Sequence, residues 1–168
     1  EDLAADLFEM TRDLCDENGL SAYEVSNHAR PGHECRHNLV YWNYGDYAGI
    51  GPGAHGRLTI EHSRYSTNTY SQPSKWLSEV KKGSGDSSVS TLSREDQGAE
   101  LVLMGMRLSK GISKKRFQTI FGKPPSDTAL TALISQGLVE LKKDRIQATK
   151  NGTLLLNYVI RQLQMDLS

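Results

Sequence analysis

Sulfur and imidazole are scarce in this chain of 168 residues: there are two cysteines, Cys15 and Cys35, and five histidines, the last at position 62. Two thiols do not make a disulfide framework, which points to a reducing compartment, the cytoplasm. Long apolar runs are missing too. None approaches the roughly 20 residues that would cross a bilayer, and no basic-then-apolar leader opens the chain. There is no internal repeat. Net charge is formally +0, but only because two regions cancel. Residues 1–106 carry nine Lys/Arg against sixteen Asp/Glu, and residues 107–161 carry eleven against three. Such a split suggests two modules with different partners. The chain opens at Glu1 inside a helical pattern, so it is expected to be part of something longer.

What is present is concentrated. "HECRHNLVYWNYGDYAGIGPGAHGRL", residues 33–58, holds three of the five histidines, one of the two cysteines and four of the nine Tyr and Trp residues. Upstream, Leu3, Leu7, Met10 and Leu14 lie at helical spacing and Asn18-Gly19 ends the pattern. Tyr23 and Val25 then alternate as a short strand, giving one αβ step. Residues 27–57 read as irregular, Leu58–Tyr70 as weak strand, and Lys75–Lys82 as a short helix opened by Pro73. "GSGDSSVST", residues 83–91, reads as a linker or mobile loop. Three modules follow: 1–82, a linker at 83–92, and 93–168.

In the last module, Ser93 caps a helix whose stripe is Ala99, Val102, Leu103 and Met106. Ser113 caps a second helix that ends at Gly122. Pro124-Pro125-Ser126 opens a third, with Leu130, Leu133 and Ile134 inward and Gly137 as its stop. "LVEL" and "RIQA" form a hairpin, and Thr149 caps a last helix with Leu154, Leu155, Tyr158 and Val159. This is a winged-helix order, so a nucleic-acid-binding module is one reading. Yet "SDTALTALISQ", the third helix, has no Lys or Arg and only Gln136 to read bases. Specific nucleic-acid binding is therefore not expected.

Residues 33–58 admit several chemistries. On an extended strand His33, Cys35 and His37 would share a face and, with His28, could hold structural zinc. "GIGPGAHG" has glycines at 49, 51, 53 and 56. The last three fit G-x-G-x-x-G, but Pro52 interrupts it and no clean helix follows. Glycines at alternating positions let backbone approach a flat ligand, or turn a tight corner. "HNLVYW" offers an imidazole, a carboxamide and two large aromatics, which suit either a planar iron-containing ligand or a core cluster.

"YEVSNHARPGHECRHNLVYWNYGDYAGIGPGAHGRL", residues 23–58, resembles the signature region of oxygen-independent coproporphyrinogen III oxidase-like proteins, and more narrowly their radical-SAM haem-chaperone branch. His37, Asn38, Tyr41 and Trp42 match its HNxxYW motif, Gly49–Gly56 its glycine run, and "GLVEL…RIQATKNGTLLL" its small C-terminal domain. The resemblance implies an α+β chain: the last αβ step of a partial radical-SAM (β/α) barrel, followed by a small winged-helix-like helical domain. It implies haem or a porphyrin as ligand, contacted by His37, Asn38, Tyr41 and Trp42. Beside them it places a substrate-adjacent loop of Gly49, Gly51, Gly53, Ala54, His55 and Gly56. It also implies a [4Fe–4S] cluster and S-adenosylmethionine in the parent protein. The C-x₃-C-x₂-C cluster motif is not in this chain, so an upstream barrel would supply it and this chain alone should be inactive.

Overall fold

The computed structural model describes residues 2–165. They form two compact units, one made of the residues up to Tyr44 together with those from Gln97 onward, the other of Gly45–Asp96.

The first unit begins with α1 (Asp2–Glu17), which ends where Gly19 takes a positive φ of 71°. Leu3, Leu7, Met10 and Leu14 do lie along one face, but that face is exposed. The expected strand at Tyr23–Val25 is replaced by a small antiparallel turn, β1 (Ser21–Ala22) against β2 (His28–Ala29). The local cause is Glu24. Its carboxylate is buried and accepts hydrogen bonds from Ser26 Oγ and Asn27 Nδ2, which folds the chain back on itself. α2 (Arg36–Trp42) follows, a helix inside the stretch expected to be irregular.

The unit resumes along α4 (Arg94–Gly105), capped as expected by Ser93 Oγ, which accepts from the Asp96 N–H at 3.0 Å. Its inward residues include Leu101 and Val102, with buried Met106 just past its end; Leu103, expected inward, faces solvent. Then come β6 (Ile112–Ser113), α5 (Lys114–Phe121), α6 (Asp127–Ser135), β7 (Val139–Lys142), β8 (Arg145–Ala148), α7 (Lys150–Leu154) and α8 (Leu156–Met165). The caps are the ones the sequence announces. Ser113, Ser126 and Thr149 each accept from a first-turn N–H, and Gly122 closes α5 with φ 91°. The sheet runs β6-β8-β7, all antiparallel.

Leu130, Leu133, Ile146, Leu156, Val159 and Ile160 share one core with Phe117 and Phe121. The last helix is two helices. The chain breaks at Leu155 (φ −107°, ψ 28°), and this rotates the apolar face. Leu156, Val159, Ile160 and Leu163 turn inward, while Leu154, Leu155 and Tyr158 are left exposed. Ile134 is likewise outside.

The second unit is a three-stranded antiparallel sheet, β3 (His55–Ile60), β4 (Ser63–Thr69) and β5 (Asp86–Thr91), in that order, with α3 (Pro73–Val80) between β4 and β5. β5 occupies the stretch expected to be a linker. Its serines read as loop formers in isolation, yet β4 supplies the missing backbone partners, and Ser88 and Asn68 pair across the ladder at 2.9 Å. The module boundaries expected at 82 and 93 therefore do not coincide with the division of the structure into units.

Candidate functional site

The expected site divides between the units: His37, Asn38, Tyr41 and Trp42 lie in the first, the glycine run in the second.

In the first unit, the HNxxYW residues occupy most of α2. Cys35 is its N-cap residue but makes no side-chain cap, so the helix is held by what its side chains touch. Asn38 Nδ2 donates to the Tyr23 hydroxyl at 3.2 Å. Tyr41 and Trp42 meet edge to face with centroids 5.0 Å apart. The Arg107 guanidinium lies 5.8 Å from the Trp42 ring centre, a cation–π contact. Asn38, Tyr41 and Trp42 are all half-buried.

His37 differs from them. It is exposed and makes no hydrogen bond or ion pair with the described residues. Helical geometry also breaks the alternation that would have put His33, Cys35 and His37 on one face. No group of three or more metal-ligating side chains occurs among the described residues, which leaves the alternative zinc reading without a ligand set there. The nearby Glu34 carboxyl is held below its ordinary value, chiefly by the backbone N–H groups of Glu34 and Gly32.

In the second unit, the glycine run leads into β3, and its glycines have different reasons to be there. A Cβ on Gly49 would stand 2.5 Å from the His55 carbonyl oxygen, and one on Gly56 would stand 2.5 Å from Thr67 Oγ1. Both are required by the protein's own packing. Gly51 and Gly53 instead take positive φ, 102° and 72°. Nothing lies within 4 Å of a Cβ at Gly51, so that side of the loop is open.

Thr69 ties the loop down. Its hydroxyl accepts from the Ala54 N–H at 2.8 Å and donates to the Gly51 carbonyl at 2.6 Å. His55 Nδ1 is 2.5 Å from Asn68 Oδ1, so its imidazole is held by the sheet. Ile50 stands out from the loop, 89% exposed.

Two polar anchors were not singled out from the sequence. Arg64, 9% exposed, donates to Asp46 Oδ1 at 2.7 Å and to the Gly45 carbonyl at 2.9 Å. Burial alone would raise the Asp46 pKa. Hydrogen bonds from Thr59 and the Arg64 guanidinium outweigh it and hold the carboxyl below its ordinary value. The other is Glu24, whose signal was a carboxylate standing between Tyr23 and Val25 in an otherwise alternating stretch.

A fit to the groups that the resemblance implied can be judged from these side chains. Were haem to bind, the exposed His37 imidazole would be available to its iron or to a propionate. An iron–sulfur cubane does not fit this chain. Cys15 lies half-buried on α1, Cys35 is exposed at the start of α2, and the sequence has no third thiol.

Residues 92–155 match the HemN C-terminal domain family. Over 96% of its length the chain is 31% identical to radical S-adenosyl methionine domain-containing protein 1, mitochondrial, of Mus musculus. It is 31% identical over 95% to heme chaperone HemW of Escherichia coli, and 33% identical over 97% to heme chaperone HemW of Mycobacterium tuberculosis. It spans only 39%, 42% and 40% of those proteins. In three dimensions it resembles the radical SAM coproporphyrinogen III oxidase HemN of Escherichia coli. The TM-score is 0.65 at 17% identity, over 96% of this chain and 40% of that one. The chain is an α+β protein that matches the C-terminal part of haem-related radical SAM proteins, the HemW haem chaperones among them.

Proposed function

We propose that this chain is the haem-contacting C-terminal part of a radical SAM haem chaperone, in which α2 presents His37 to haem. The observation that carries this reading is the asymmetry within α2. Asn38, Tyr41 and Trp42 are committed to contacts in their own unit, whereas His37 is exposed and free. A bound haem would supply an iron centre for the imidazole, or a propionate for a hydrogen bond. The anchored residues fix the helix so that the imidazole is held out at low conformational cost.

The rest of the reading follows from the same relatives. An upstream part of a longer chain closes the barrel, of which this chain supplies the last steps, and brings the cluster and S-adenosylmethionine. Residues 93–165 form a winged-helix-like domain, supported by the order of helices and strands and by the sheet order β6-β8-β7. That domain packs and covers rather than reading nucleic acid, because α6 carries no Lys or Arg. The protein works in a reducing cytoplasm; among the described residues no helix is long and apolar enough to cross a membrane. The glycine loop, open on its Gly51 side, leaves room for backbone to meet a ligand of its own unit.

Haem titration of the 168-residue chain tests this, with the Soret band as readout. His37→Ala should lower affinity at least tenfold and shift the band. His33→Ala, Cys35→Ser and His55→Ala should leave both nearly unchanged. Wild-type haem binding by His37→Ala, with its fold intact, overturns the ligand role.

A further inference from the structure

A second feature of the first unit is unused by this reading. Glu24 is 1% exposed, and only one lobe of its carboxylate is satisfied: Oε1 accepts from Ser26 Oγ at 3.1 Å and from Asn27 Nδ2. Oε2 is buried with no hydrogen-bond partner among the described residues. Buried polar atoms are rarely left so, and a carboxylate oxygen is among the costliest to leave unpaired.

Glu24 lines a cavity of about 200 Å³. Arg12, Arg107, Lys150 and Ser109 share its wall, and Met106 and Leu108 give it an apolar side. Arg107 is engaged with Trp42 and the Leu103 carbonyl, and Lys150 sits 3.7 Å from both Glu9 and Asp13. Arg12 has no carboxylate partner among the described residues; its guanidinium only lies 5.5 Å from the Phe8 ring centre. One cavity thus holds an acceptor that lacks a donor and a cation that lacks an anion.

We infer that this cavity is a binding site for a small zwitterion bearing a primary ammonium and a carboxylate, of the α-amino-acid class, with Glu24 Oε2 taking the ammonium and Arg12 the carboxylate. Charge selects this class. A simple cation would meet three basic side chains around a single carboxylate. A simple anion would be drawn to Arg12 but would leave Glu24 Oε2 unpaired and face its charge. A zwitterion satisfies both. Size sets the scale, since pockets for larger ligands run to about 300–1,000 Å³. The wall also bears on the other proposal. Arg107 joins the cavity to Trp42, so occupancy should be visible in the Trp42 ring.

L-Alanine is the probe, titrated into the isotope-labelled 168-residue chain and followed by amide and indole NMR shifts. Saturable shifts at Glu24, Ser109 and Thr149 and at the Trp42 indole are expected. N-acetyl-L-alanine, which lacks the ammonium, and L-alaninamide, which lacks the carboxylate, should each bind at least tenfold more weakly. Glu24→Gln should weaken L-alanine at least tenfold. Should that variant not fold, Arg12→Gln carries the test, because Arg12 lies on α1 outside the core and its loss removes the anion contact and, besides it, a cation–π contact to Phe8 on the same helix. Absence of saturation with L-alanine, glycine and L-serine overturns the inference and leaves a cavity that holds water. So do equal affinities for the blocked forms, or unchanged binding by Arg12→Gln. A haem titration is untouched by either result, so the two proposals fail separately.

Discussion

The two units are held together by different forces. From Gln97 onward the chain closes on an apolar core, with Leu101, Val102, Met106, Leu133, Ile146 and Val159 almost wholly out of water. In Gly45–Asp96 no hydrophobic side chain is buried; the buried residues there are Gly56 and Arg64. That sheet is pinned by ladder hydrogen bonds, by Arg64 on Asp46 and Gly45, and by the Thr69 hydroxyl on the glycine loop. Apolar burial is non-directional and tolerates sequence change if volume is kept. Polar pinning depends on single atoms and on pH. The same chain should therefore respond to the same kind of mutation in two ways.

The largest effect should come from the apolar side. Leu133→Ala removes a side chain that is 1% exposed and should cost about 2–5 kcal/mol. Val89→Ala, on a β5 side chain that is 57% exposed, should stay within about 0.5 kcal/mol. Chemical denaturation of both variants checks the contrast, and equal losses would break it.

The glycine loop comes next. Gly56→Ala and Gly49→Ala each drive a methyl into the sheet at 2.5 Å and should cost about 1–3 kcal/mol. Gly51→Ala meets no neighbour and pays only for its φ of 102°, so its cost should be smaller, about 1 kcal/mol. Amide exchange along β3 and β4 distinguishes the two cases. Greater loss from Gly51 than from Gly56 would mean that the loop, not the sheet, holds this unit.

Asp46→Asn should cost about 1–2 kcal/mol, because Arg64 keeps its bond to the Gly45 carbonyl but loses a charged acceptor. The pH dependence follows from the sign of the shift. The Asp46 carboxyl is held below its ordinary value in the folded chain, so it favours the charged form there. Its contribution is full above the unfolded carboxyl pKa, about 3.9, and is lost as pH falls through the lower folded value. Protection of the Thr59 N–H, which donates to Asp46 Oδ2 at 2.7 Å, should fade over that window in the wild type and not in Asp46→Asn.

The same contrast explains what could be read from the sequence. Caps at Ser93, Ser113, Ser126 and Thr149 were legible because a cap is a local event, one side chain and an N–H three residues on. The core of residues 97–165 was legible in outline, since helical spacing sets its faces. It failed at Leu103, Ile134, Leu154, Leu155 and Tyr158, where a neighbouring element or the break at Leu155 decides which flank turns inward. β5 was hidden because its serines need β4 to become a strand. α2 was hidden because Cys35 is no signal and the helix rests on tertiary contacts of Asn38 and Trp42. Of the candidate site, the spacing named the residues of α2 but not their division into half-buried anchors and an exposed imidazole.

That division gives the smallest expected effect on stability, and it lies within a single helix. Trp42→Ala removes a half-buried ring that touches Tyr41 and Arg107, and should cost about 1–3 kcal/mol. Asn38→Ala loses one hydrogen bond to the Tyr23 hydroxyl, about 1 kcal/mol. His37→Ala touches nothing that folds the unit, and should change stability by less than about 0.5 kcal/mol. If the imidazole is there for haem, stability and haem affinity must come apart along α2. His37→Ala should keep its melting temperature and lose the ligand. Trp42→Ala should lose stability first and bind haem more weakly only in proportion to the unfolded fraction. Melting curves and haem titrations on the same three variants read both quantities. A His37→Ala chain that melts as early as Trp42→Ala would show that the imidazole is one more anchor, and the helix would then have no residue left to offer.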